Sequence, residues 1–158
     1  MLVGIITISD RASEGVYEDL GGPALRMASK AHGWAVHAEA IVPDNLTRIQ
    51  NTIRSFSSQG CGLILTTGGT GIAERDVTPE AIRGIMRVEI PGFGEIMRIK
   101  SLELTPNAIL SRSLAAVVDR SLVIALPGKP QGAVDCLSFV LGAIPHAVKL
   151  AQKVPTSC

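Results

Sequence analysis

Apolar residues follow two patterns along this chain: short unbroken runs, and longer stretches with one apolar stripe. The unbroken runs are LVGIITI at Leu2–Ile8, GLILTT at 62–67 and SLVIAL at Ser121–Leu126. Runs of this length, rich in β-branched side chains, predict strands covered on both faces, as in parallel sheets. WAVHAEAIV at 34–42 is predicted as a further strand, in which Val36, Ala38, Ala40 and Val42 alternate with mixed neighbours. Leu46, Ile49, Ile53 and Phe56 recur at helical spacing and Gly60 closes that stretch. Pro23 is expected to open an earlier helix that stops at Gly33. Further helices are predicted over 79–86, 93–104 and 107–116, punctuated by Pro91 and Pro106, and from near Gln131 and Pro145.

Buried strands alternating with helices predict right-handed βαβ units. The expected fold is α/β and three-layered, a mainly parallel sheet flanked by helices on both faces. No repeat, linker or low-complexity segment interrupts the pattern, so residues 1–158 are expected to form a single domain. An apolar fraction of 46% against 18% charged residues excludes disorder. A net charge of +1 and only five aromatic residues (one Trp, one Tyr, three Phe) argue against nucleic acid as a partner. Any anionic ligand must therefore be held by a local site.

No apolar run reaches the ~18 residues of a membrane span, and no membrane partner is expected. The first run lacks a basic flank and meets Asp10 and Arg11 at once, so it reads as a strand and not as a signal peptide. Cys61, Cys136 and Cys158 are odd in number and widely spaced, which disfavours a disulfide framework or a zinc site. Reduced thiols and a cytoplasmic location are the expectation, with Cys61 and Cys136 packed in the core.

Ligands of open parallel sheets bind outside the carboxyl ends of the strands. The predicted strands end in Ser9-Asp10-Arg11, Pro43-Asp44, a glycine loop leading to Asp76, and Pro127-Gly128-Lys129. These four ends could share one crevice. The loop Gly68-Gly69-Thr70-Gly71 lacks the Lys-Ser/Thr end of a P-loop and does not complete a dinucleotide fingerprint. It offers free backbone N–H groups that can approach a phosphate, or it simply supplies turns. Thr78 before Pro79 is the expected helix cap, which leaves Asp76 free to hold Mg²⁺ beside a nucleotide phosphate. Asp44 is either an N-cap for the following helix or a second metal ligand across the crevice. No histidine pair has metal-ligand spacing, and Ser9 and Ser111 lack a nucleophile-elbow context.

Together, TISDRASEGVYEDLGGPAL, VPDN, LTTGGTGIAERDVTPEAI, IPGFGEIMR, SLELTPNAILSRS and LPGKPQGAVDCL resemble the molybdopterin adenylyltransferases, to which the gephyrin domain is related. The resemblance runs in order over almost the whole chain. It implies the molybdopterin-binding-like fold, a homotrimer, and transfer of AMP from Mg-ATP to molybdopterin with release of pyrophosphate. It also implies a downstream partner enzyme that inserts molybdate. Asp44 and Asp76 match the family's essential, metal-holding carboxylates. Residues 68–71 match the nucleotide site, and Ser101 and Ser111 match positions facing the pterin and its phosphate.

Ser9, Arg112, Pro127 and Gly128 join these as expected binding residues, Ser111 and Arg112 from the middle of the predicted 107–116 helix. Gly22 stands where many members have Ser, and the chain ends soon after its last helix where some members extend further. A non-catalytic carrier of molybdopterin or the finished cofactor is the alternative with the same fold. Retention of both carboxylates favours the enzyme.

Overall fold

The computed structural model describes residues 1–153, so Cys158 lies outside the described residues. Six strands form one sheet in the order β2-β1-β3-β6-β5-β4. β1 (Leu2–Ile8), β2 (Ala35–Val42), β3 (Leu63–Thr67) and β6 (Ser121–Leu126) run parallel; β4 (Val88–Glu89) and β5 (Ala115–Val118) form an antiparallel edge. The helices are α1 (Asp10–Ser13), α2 (Gly21–Ala31), α3 (Leu46–Ser58), α4 (Thr78–Arg83), α5 (Pro91–Leu102), α6 (Pro130–Val140) and α7 (Ile144–Ala151).

Each central strand serves two cores, because successive side chains point to opposite faces. Val3, Ile5, Leu63, Leu65, Leu122 and Ile124 meet Leu25 of α2, Phe93 and Met97 of α5, Leu137 of α6 and Val148 of α7. Ile6, Ile8, Ile64, Val123 and Ala125 meet Ile49, Ile53 and Phe56 of α3 and Ile82 of α4. Most of these side chains are fully buried, each contributing about 1.5–3 kcal/mol of transfer free energy. The three-layer α/β expectation holds. The two buried cysteines are core residues as expected, and burial pushes both thiols above their ordinary pKa.

The clearest departure is the stretch predicted as a helix over 107–116. Pro106–Leu110 forms only a 3-10 turn, and Ser111 is already extended (φ −72°, ψ 129°). The chain then enters β5, and Asp119 at φ 50° turns it back into β6 through a two-residue hairpin. The short apolar run Ala115–Val118 takes the sheet edge because its four residues are all buried there. β4 was also unforeseen, with only Val88 and Glu89 in the ladder.

Two helix starts differ as well. α2 begins at Gly21, where Asp19 Oδ1 accepts the N–H groups of Gly21 and Gly22 at 3.0 Å each. A Cβ on Gly22 would lie 2.5 Å from Asp19 Oδ2, so a serine there would force Asp19 to move. Val77, not Thr78, precedes α4, and the buried Thr78 hydroxyl donates to Gly68 O at 2.9 Å. Finally, Pro130–Ala151 is, by length and composition, one helical run long and apolar enough to cross a membrane. It is not an unbroken apolar run, because Asp135, Ser138, His146 and Lys149 interrupt it. Its apolar face, including Leu137, Val140, Ile144 and Val148, lies on the sheet.

Candidate active site

The strand order reverses at β1: α2 carries the chain from β1 out to β2, and α3 brings it back across the other face to β3. Such a switch point opens a crevice between the carboxyl ends of β1 and β3. A cleft of about 270 Å³ occupies it, lined by Ser9, Asp19, Asp44, Gly68, Gly69, Arg75, Asp76 and Gly128 among others. The four strand ends converge as the sequence suggested. Gly68 N–H donates to Leu126 O at 3.2 Å, and Thr67 Oγ1 donates to Pro127 O at 2.7 Å.

The glycines are required by close approach as well as by turning. Gly68 has φ +108°, and a Cβ there would meet Ile8 O at 2.1 Å. Gly69 has φ +62°, and its Cβ would sit 2.3 Å from Thr78 Oγ1 and 3.0 Å from Asp44 Oδ1. Any side chain at either position collides with the walls of the crevice, so the backbone itself forms the cradle.

Asn45 resolves the ambiguity at Asp44. Its side chain caps α3 by accepting Arg48 N–H at 3.0 Å, which leaves Asp44 for the cleft. The Asp44 side chain is 6% exposed. Its Oδ2 accepts Asp10 N–H at 3.0 Å, while Asp44 N–H donates to Asp10 Oδ1 at 2.8 Å, clasping the ends of β1 and β2 together. Arg75 reaches Asp10 Oδ2 at 2.8 Å and Asp44 Oδ2 at 3.4 Å. Asp76 accepts Ala73 N–H at 3.0 Å through Oδ2, closing a tight turn. Ser9 caps α1, its hydroxyl accepting Ala12 N–H at 3.2 Å.

No group of three potential metal-ligating side chains occurs among the described residues. Two carboxylates on the wall of one cleft still suit Mg²⁺, which is bound through one or two carboxylates with phosphate and water completing its shell. Asp44 Oδ1, facing Gly69, and Asp76 are the residues that fit it.

A second cleft, about 320 Å³, lies on the other side of the loop. Thr70, Gly71, Ser101, Ser111, Pro127 and Gly128 line it, and Gly128 also borders the first cleft. Each volume suits one ligand-sized group, and the glycine loop is the wall between them. Ser101 Oγ lies 3.4 Å from Cys136 Sγ, and Ser111 Oγ donates to Ser113 Oγ at 3.0 Å. Arg98, Thr105, Asn107 and Lys129 are lining residues that the sequence reading did not select as site residues. Of these only Lys129, at a strand end, carried a positional signal.

Arg112 is the expected binding residue with the most different setting. It lies in the extended segment after the 3-10 turn, not in a helix, because the chain is leaving Leu110 for the sheet edge. Its Nε donates to Gly71 O at 2.7 Å and its Nη2 to Asp76 O at 2.6 Å, while Nη1 pairs with Glu80. The fork is turned into the loop.

Comparison with known proteins gives a consistent picture. A family model described as "Probable molybdopterin binding domain" matches residues 4–146. A molybdopterin adenylyltransferase of Helicobacter pylori strain J99 is 42% identical over 151 residues, covering 94% of this chain and 86% of that protein. Gephyrin of Dictyostelium discoideum is 39% identical over 99% of this chain, which corresponds to 23% of gephyrin. Among solved structures, the molybdopterin biosynthesis enzyme MoaB of Thermus thermophilus superposes with a TM-score of 0.90, at 41% identity and 99% coverage of both chains.

Proposed function

This chain belongs to the family of molybdopterin-binding domains, and from that premise we infer that it is a molybdopterin adenylyltransferase of molybdenum cofactor biosynthesis. The enzyme is a nucleotidyltransferase that joins AMP to the phosphate of molybdopterin. In our reading ATP is the donor and occupies the cleft at the switch point, with molybdopterin in the second cleft. The observation that carries this assignment is the loop 68–71, which forms one wall of each cleft.

The pterin phosphate is ionised at neutral pH and needs no strong base. One of its oxygens forms a bond to the α-phosphorus of ATP as the bond to the pyrophosphate oxygen breaks. The difficulty is to bring two anions into line. Amides of the glycine loop, with Arg75 on the wall of the first cleft and Lys129 on that of the second, would lower their repulsion. Ser101 and Ser111 hold the pterin side, and Ser9, Pro127 and Gly128 shape the walls. Mg²⁺, when held by Asp44 and Asp76, would neutralise phosphate charge and fix its geometry.

A carrier of the same fold would need no metal, so the presence of carboxylates at both Asp44 and Asp76 favours the enzyme. We further propose a homotrimer, as the family resemblance implies, with the exposed Ile96, Ile99, Leu102 and Leu104 along α5 and its end as apolar surface for contact between copies. A cytoplasmic location is supported by the buried free thiols, and a molybdate-inserting enzyme is the expected recipient of the product. The test is pyrophosphate release from ATP, with and without molybdopterin and Mg²⁺. Release is expected only with both present; brisk hydrolysis without the pterin would overturn the reading.

A further inference from the structure

The near end of the glycine loop is anchored by its own neighbourhood: Gly68 binds Leu126 O, and Thr78 holds Gly68 O. The far end is tied toward the first cleft by Arg75, which pairs with Asp10 and Asp44, and from the other side by Arg112. Arg112 N–H donates to Thr70 O at 2.9 Å, its Nε to Gly71 O at 2.7 Å and its Nη2 to Asp76 O at 2.6 Å. Its Nη1 pairs with Glu80 in α4. The residue before Arg112 belongs to the second cleft, and the residue after it is bonded to Arg98 of that cleft's lining. Ser111 lines the cleft, and the buried Ser113 accepts Arg98 Nη1 on its carbonyl at 2.9 Å.

We propose that Arg112 is a positioning residue for the transfer step. It keeps the nucleotide loop in register with the pterin cleft, so that the two reacting phosphates meet in line, and it binds neither phosphate itself. The inference rests on the assignment of the clefts to nucleotide and pterin.

Three features favour this role over direct phosphate binding. The planar fork of Arg is matched to a carboxylate and two carbonyls at once, which a lysine could not reproduce. Arg112 lines neither cleft, and its Nε and Nη2 are engaged by backbone carbonyls. The Glu80 pair is also ionised at neutral pH: burial alone would raise the Glu80 carboxyl, but the Arg112 hydrogen bond and the nearby Arg83 charge outweigh it and hold it below the usual range. The guanidinium thus has its charge neutralised on the α4 side.

In-line transfer between two separate pockets is the kind of step in which a displacement of about 1 Å costs about 10²-fold in rate. A phosphate ligand would instead show its loss in affinity.

The experiment measures AMP transfer, binding of a non-hydrolysable ATP analogue, binding of molybdopterin and thermal melting. It compares wild type with Arg112→Gln, Arg112→Lys and Glu80→Gln. Arg112→Gln is expected to bind each ligand within about 3-fold of wild type while kcat falls about 10²-fold. Arg112→Lys should fall similarly, because it keeps the charge but not the fork. Glu80→Gln leaves both carbonyl bonds in place and should keep kcat within about 5-fold of wild type. The proposal is overturned if Arg112→Gln loses molybdopterin affinity tenfold or more and Lys restores it, which would make Arg112 a phosphate ligand. Unchanged kcat in Arg112→Gln overturns it too, as does loss of the melting transition in both Arg112 variants. Failure of wild type to release pyrophosphate in the presence of molybdopterin would instead count against the proposed function, and wild type alone reveals it.

Discussion

The two clefts flanking the glycine loop are built in different ways. The first is made almost wholly from strand ends and the turns that follow them, and its carboxylates are clasped by backbone N–H groups and by Arg75. The second takes its wall from helix α5, the 3-10 turn and the extended segment beyond it, and places the hydroxyls of Thr70, Ser101, Thr105 and Ser111, with Arg98 and Lys129, among apolar side chains such as Met97, Ala108 and Leu110. A crevice at strand ends comes with oriented amides and suits an anion. A pocket between a helix and an extended segment has few backbone donors, and its specificity must come from side chains. One side is therefore suited to charge handling and the other to recognition, with the loop between them shared.

The sharpest way to break that division is to remove charge from the first cleft without altering its shape. Asp76→Asn retains an oxygen to accept Ala73 N–H, so the turn should survive. Transfer is expected to fall by about 10²–10³-fold, the scale of losing one preorganised electrostatic group. Molybdopterin binding should remain near wild type, as the side chain lies on the other side of the wall. Asp44→Asn should behave alike. Product chromatography together with pterin fluorescence separates the two effects, and normal turnover in Asp76→Asn would remove it from the site.

The same contrast explains which features were legible in the sequence. Unbroken apolar runs with β-branched residues, as in Leu2–Ile8 and Ser121–Leu126, have few alternatives to a buried strand, and the rule for strand ends then brought Ser9, Asp44, Gly68 and Gly128 together. The four-residue run Ala115–Val118 was ambiguous, because short apolar stretches suit a helix as well as a strand. That error carried Ser111 and Arg112 onto a helix they do not occupy. The second cleft has no comparable rule, since Arg98, Asn107 and Lys129 meet only when α5, the 3-10 turn and the β6 end pack together. Ser101 and Ser111 were placed there by family resemblance alone. An arginine that braces carbonyls, like Arg112, leaves no pattern in sequence.

A milder change should sharpen the comparison from the pterin side. Replacing both serines, Ser101→Ala with Ser111→Ala, removes two neutral hydrogen-bonding groups from the second cleft. Each is worth about 0.5–1.5 kcal/mol, so pterin affinity should weaken by about 1–3 kcal/mol. Affinity for the ATP analogue should not change. Ser101 also faces Cys136 Sγ, whose thiol is raised by burial despite that hydrogen bond, so the thiol stays neutral and the fold should tolerate the change. A fall in ATP affinity as large as the fall in pterin affinity would mean that the loop does not separate the two sites.

The smallest expected effect compares the brace with an ion pair remote from either cleft. Glu80 and Glu89 both have carboxyls held below the usual range: Glu80 by Arg112 against the effect of burial, and Glu89 chiefly by the Arg83 hydrogen bond at its carboxylate. A carboxylate whose folded pKa is depressed binds protons more readily in the unfolded chain. Its contribution to stability is therefore fully present above the unfolded value of about 4.3 and is lost as pH falls through the folded value. Both pairs are partly exposed, so solvent screens them and the shift in melting temperature should be small. The gap in melting temperature between wild type and Glu80→Gln, or Glu89→Gln, should be open at pH 7 and close on acidification below about pH 4. The two variants should differ in chemistry, because of the two carboxylates only Glu80 touches the arginine that braces the loop between the clefts. Glu89→Gln is expected to leave transfer at the wild-type rate, and Glu80→Gln to lower it slightly at neutral pH. A gap that persists unchanged to pH 3 in both variants would show that neither pair is linked to stability through its charge.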